Sequence, residues 1–111
     1  MIEKTVLDYL NSVLSYPAFM EEDGAVPSEF VLIQKGDSTT ENFVTTALIV
    51  ITSHGSSLFA AATMNEEVIK AMTKLSVSEQ VSACRLVTDY NYTDTASKRY
   101  RYQAVFNITH Y

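Results

Sequence analysis

The sequence is short of almost everything that would announce a chemistry. It has one cysteine, Cys84, two prolines, three glycines and no tryptophan in 111 residues. A single thiol excludes an internal disulfide framework, and with only His54 and His110 as histidines it leaves no zinc-ligand spacing. The scarcity of glycine and proline excludes collagen-like and low-complexity chains. No apolar run reaches the length of a bilayer span or a signal-peptide core, and the opening "MIEKTVLDYLNSVLSY" carries acids within its first ten residues. The expectation is cytoplasmic synthesis in a reducing compartment, with no membrane insertion. Cations are scarce too: eight Lys and Arg stand against 13 Asp and Glu, a net charge of −5. That balance opposes attraction to a polyphosphate and predicts no direct nucleic-acid recognition. No glycine-rich phosphate loop and no calcium-loop spacing occur, so neither a cofactor nor a metal is expected.

What is present is apolar: 47% of residues are hydrophobic and 19% charged, the balance of a chain that folds into one domain over residues 1–111. Ile2, Val6, Tyr9, Leu10, Val13 and Leu14 recur at intervals of three and four, which predicts an amphipathic helix ending before Pro17. "PAFMEEDGAVPSEF" then reads as a long surface connection. "FVLIQK" (30–35) predicts a strand, "GDSTTEN" a turn, and "FVTTALIVITSH" (43–54) a second strand. In that strand Phe43, Ala47, Ile49 and Ile51 share one face while Val44, Leu48 and Val50 share the other. Both faces should therefore be covered, by helices or by a neighbouring subunit.

After "HGSS" the period changes to about 3.6. Leu58, Ala61, Ala62, Asn65, Val68, Ile69, Met72 and Leu75 line one side of a helix over 57–74, with Ser56 or Ser57 as its N-cap. Strands at 81–92 and 98–111 follow, joined through "TDTAS". The order α-β-β-α-β-β predicts an α+β fold: a four-stranded, mainly antiparallel sheet with two helices.

The run "TDYNYTDTASKRYRYQAVF" (88–106) mixes tyrosines with cations. Strand alternation puts Tyr100, Tyr102, Ala104 and Phe106 on one face with Lys98, and Arg99, Arg101, Gln103 and Asn107 on the other. Aromatics and cations are thus mostly separated by the sheet, unlike a single-strand nucleic-acid platform. Arg99 and Arg101 are expected to meet Asp89 or Asp94 across the hairpin or acids of a neighbouring chain, since arginine favours interface ion pairs, with an ordinary solvated strand face as the alternative. "TSHGSS" sets Ser53, Ser56 and Ser57 beside His54, but the pattern is not a nucleophile elbow, and serines at a strand-to-helix junction serve as caps. His110, penultimate in the sequence, is expected to fray. Cys84, mid-strand with Leu86 on its face, reads as a small buried hydrophobe. The acids of "EED" (21–23) and "NEE" (65–67) read as solvated or repelling clusters rather than metal sites.

Taken in order, these segments resemble a family. "P-x-E-F-V-L-I-x-K", a long strand, "S-L-F-x-A-A…N-E-E-V" on a helix and the hairpin "DYNYTDT…KRYRYQAV" are similar to the small tail-completion or tail-terminator-like proteins of siphophages and prophages of Gram-positive bacteria. "KGDSTT" stands where that family often has a "KTGG"-like run. The resemblance implies an α/β unit that forms a homo-oligomeric ring, commonly a hexamer, to terminate the tail tube and join it to the head. Its partners would be tail-tube and head-connector proteins, its location the cytoplasm during assembly and then the virion, and it would not be an enzyme. The subunit contact is expected from Arg99 and Arg101 against acids drawn from Glu21, Glu22, Asp23, Glu66 and Glu67. Two other readings stay open on the residues alone: a small protein-binding adaptor, and a hydrolase using His54 with the nearby serines.

Overall fold

The computed structural model describes residues 1–21, 27–41, 43–75 and 81–110. Two helices and five strands follow in the order α1 (Ile2–Val13), β1 (Ala18–Phe19), β2 (Phe30–Glu41), β3 (Val44–Gly55), α2 (Leu58–Leu75), β4 (Val81–Asn91) and β5 (Tyr100–His110). They make one sheet in the order β1-β2-β3-β5-β4. The four long strands are antiparallel to their neighbours. The fifth strand corrects the expected four-stranded sheet, because β1 pairs parallel with β2 through Ala18 and Phe19. Asn11 explains why so short a strand holds: its amide accepts from the Ala18 N–H at 2.9 Å and donates to the Ala18 carbonyl at 3.2 Å. A side chain on the polar side of α1 thus fixes the chain that leaves it.

Helix α1 ends where Leu14 turns extended, at φ −83° and ψ 152°, three residues before Pro17. Ser57 is the N-cap of α2, its hydroxyl accepting from the Ala60 N–H at 3.1 Å. Ile2, Val6 and Leu10 from α1 meet Met64, Val68, Met72 and Leu75 from α2 over Ile33, Ile49, Ile51, Phe106 and Ile108 of the sheet, in one continuous core. Burying each such side chain completely stabilises the fold by about 1.5–3 kcal/mol. Two residues expected in the helix stripes lie outside it, since Val13 and Leu58 sit in the terminal turns and are 49% and 42% exposed.

The expected turn at 36–42 is also corrected. Strand β2 runs on to Glu41, and Gly36 and Asp37 form a bulge between Lys35, which pairs with Ile49, and Ser38, which pairs with Ala47. Two residues then oppose Leu48 alone, the geometry of a β-bulge, and Thr39 and Thr40 resume the ladder opposite Thr46 and Thr45. His110, expected to fray, is half-buried and paired with Thr45 on one side and Val81 on the other.

Candidate interaction surface

Residues paired directly across an antiparallel ladder point to the same face. Val31, Ile33, Ala47, Ile49, Ile51, Ala104, Phe106 and Ile108 therefore form the face beneath the helices. The alternate positions, Phe30, Leu32, Leu48, Val50, Thr52, His54, Gln103 and Val105, form the other face. Among the described residues no helix packs on that second face. Leu32, Leu48, Val50 and Val105 are only half-buried there, screened by one another. A polar ladder crosses beside them: the Thr52 hydroxyl donates to Gln103 Oε1 at 3.1 Å, and Gln103 Nε2 donates to the Tyr90 hydroxyl.

One end of this face is aromatic and basic. Phe30 stacks on His54 with ring centroids 4.4 Å apart and meets Phe19 edge-on at 6.1 Å. Arg101 lays its guanidinium 4.7 Å from the centre of the Tyr92 ring and donates through Nε to the Tyr92 carbonyl at 3.2 Å. It is thus held within its own hairpin by a cation–π contact. Arg99 pairs with Asp94 through both backbone bonds of an isolated bridge, each 3.1 Å. The Asp94 carboxylate accepts from the N–H groups of Ala96 and Ser97, and its hydrogen bonds to Ser97 hold it below the usual carboxylate range, with Ala96 and the Arg101 charge adding to the effect. Asp89 is turned to the helix side, accepting from Asn65 Nδ2 at 3.0 Å. Lys98 closes the turn in the left-handed region, at φ 54°, where glycine or asparagine is the usual residue. Lys98, Arg99, Tyr100, Phe30, His54, Gly55, Pro27 and Ser28 line a cavity of about 260 Å³.

The remaining predicted residues are dispersed. Ser57 caps α2, Ser56 donates to Glu29 at 3.3 Å, and Ser53 lies on the face opposite to His54, so the serines beside His54 do not converge on it. Cys84 lies on the helix side of β4, paired with Ile108, and burial pushes its thiol up to about 11, the opposite of a nucleophile. Among the described residues no group of three or more His, Cys, Asp or Glu side chains is placed to hold a metal, and no helix is long and apolar enough to cross a membrane. Of the acids expected at an interface, Glu21 and Glu66 are exposed, while Glu22 and Asp23 lie outside the described residues. Glu67 is engaged within the chain, its carboxylate accepting from the Ser15 N–H at 2.9 Å and the Ser15 hydroxyl at 3.0 Å. Phe43, expected in the strand on the face of Ala47, Ile49 and Ile51, is corrected: β3 starts at Val44, and Phe43 lies in the β2–β3 turn, 95% exposed with φ 66°.

Compared with known proteins, the chain matches no protein-family model and no curated protein sequence.

Proposed function

We propose that this chain is a structural assembly protein of a phage or prophage tail, whose copies join into a ring that terminates the tail tube and joins it to the head. The uncovered sheet face carries the reading. Strands β2, β3 and β5 each place apolar side chains on that face, and nothing described in the chain covers them. An apolar face of this kind, rimmed by arginine and tyrosine, is the composition of a protein–protein contact. The phage role itself comes from the resemblance of the segments quoted above. Its hexameric form, its tail-tube and head-connector partners, and its passage from cytoplasm to virion belong to the same proposal.

Sedimentation of the wild-type chain over a wide concentration range tests it. A closed ring gives one defined oligomer whose population rises with concentration and whose mass does not grow further. A monomer at every concentration, or a chain that forms only a one-to-one complex with a different protein, overturns the ring and supports the adaptor reading.

A further inference from the structure

The two ends of the sheet are complementary. At one end, where Phe30 pairs with His54 and Gly55 with Tyr100, lies the cavity walled by Phe30, His54, Tyr100 and Pro27 and flanked by Lys98 and Arg99. At the other, where Glu41 pairs with Val44, the β2–β3 hairpin projects Phe43 into solvent. Every residue of β2 from Gln34 to Glu41 is exposed, so this half of β2 is an arm along the edge of the sheet, while the facing β3 residues Thr45 to Val50 are tied into the sheet by pairing with β5. The molecule is 45 Å long and 25 Å across.

The tip combines an apolar ring with an acid, Glu41. Phe43 is 95% exposed and held at φ 66°, a conformation disfavoured for any residue with a Cβ and better suited to glycine. The positive φ is what a two-residue hairpin loop between Glu41 and Val44 calls for, so the observation that bears on function is the exposed ring itself. Glu41 and Asp37 on the same arm are exposed. The opposite end has the converse: aromatic walls and two cations, with Lys98 also held in the left-handed region. At about 260 Å³ the cavity lies below the usual 300–1,000 Å³ of small-molecule sites, a size for a side chain rather than a metabolite.

We propose that the tip of the hairpin arm, with Phe43 as the anchor and Glu41 beside it, docks in the Lys98–Arg99 cavity of a second copy of this chain. The contact is heterologous, one patch against a different patch, and such contacts generate rings when the rotation closes and filaments when it does not. This rests on the reading of the chain as an assembly protein, and it assigns the second copy as the occupant because the acid and the base, the ring and the aromatic walls, stand at opposite ends of one molecule.

The test uses the wild type and three variants, with sedimentation at matched concentration and salt. Phe43→Gly removes the ring and relieves the backbone, so its melting temperature should equal or exceed that of the wild type while its self-association weakens by at least about tenfold, as for a central interface anchor. Lys98→Glu with Arg99→Glu should weaken association to a similar degree without unfolding the chain. Mixing a tip-defective chain, Phe43→Gly with Glu41→Gln, with the Lys98→Glu, Arg99→Glu chain leaves one intact tip and one intact cavity, and should give a dimer of one each that stops there. If the wild type assembles and the variants assemble equally well, the docking is wrong and the ring reading stands. If the wild type grows into open filaments that the variants abolish, the docking holds and the ring is wrong. A wild type that never associates overturns both.

Discussion

A Cβ added at Gly55 would stand 2.5 Å from the Ala61 nitrogen and 2.9 Å from its Cα, closer than such atoms approach. The obstacle is backbone of α2 and not the end of a flexible side chain, so the helix itself must move. Gly55→Ala should therefore destabilise the fold by about 1–3 kcal/mol, the usual cost of overpacking, read as a lowered denaturant midpoint at unchanged slope. Cys84 makes a pH prediction on the opposite side of the sheet from the uncovered face. Its thiol titrates at about 11 in the fold against 9.0 for a free group, because burial disfavours the thiolate. Unfolded chains thus lose this proton first. The stability associated with keeping the thiol neutral is intact below about pH 9 and is lost as pH climbs towards 11. Tyr9, raised by burial and then by the Cys84 charge, acts in the same direction. Denaturant midpoints of wild type and Cys84→Ala should therefore run parallel up to pH 9 and converge or cross above it, and iodoacetamide should label the folded thiol slowly at neutral pH.

Helix α2 holds the sheet through Met64, Val68, Met72 and Leu75, none more than 1% exposed. Val68→Asp places a carboxylate in that layer without a partner, which costs several kcal/mol in practice, against a total stability of about 5–15 kcal/mol. Loss of the cooperative thermal transition is expected, and a folded variant with unchanged melting temperature would mean that another face of the helix is buried. The sequence displayed this helix clearly, because an 18-residue element repeats its apolar positions enough times for the period to be unmistakable. The long strands were legible for a similar reason, in that Ala47, Ile49 and Ile51 alternate with Leu48 and Val50. Legibility failed where one residue type serves two geometries. Gly36 and Asp37 are turn formers, but a bulge takes the same residues, and only the pairing of Ser38 with Ala47 distinguishes them. Strand β1 depends on Asn11, seven residues away from Ala18, and no local pattern encodes that contact. The candidate surface was half legible: two apolar faces were visible in β3, whereas the cavity at Lys98 and Arg99 is assembled from β2, β3 and the β4–β5 turn and exists only once those strands are adjacent.

At the scale of the molecule, the question is whether the second sheet face belongs to solvent or to an assembly, and strand β3 poses it with two neighbouring residues. Ile49 points beneath the helices and is fully buried, whereas Val50 points to the uncovered face and is half-buried among Gln34 and Val105. The same substitution at each therefore separates folding from assembly. Ile49→Lys puts an ammonium group into a core with no counter-ion, which costs several kcal/mol and should abolish the folded state. Val50→Lys carries its charge outward along a flexible stem that keeps the amine in water, so the loss should be about 1 kcal/mol or less in the isolated chain. In a ring that buries this face, the lysine would instead be desolvated without a partner, and assembly should fail at concentrations where the wild type is fully associated. The measurement is a thermal melt and a sedimentation run on each protein. A Val50→Lys chain that melts like the wild type but sediments as a monomer assigns the face to an intersubunit contact; one that assembles normally leaves the face to solvent and moves the contact entirely to the ends of the sheet.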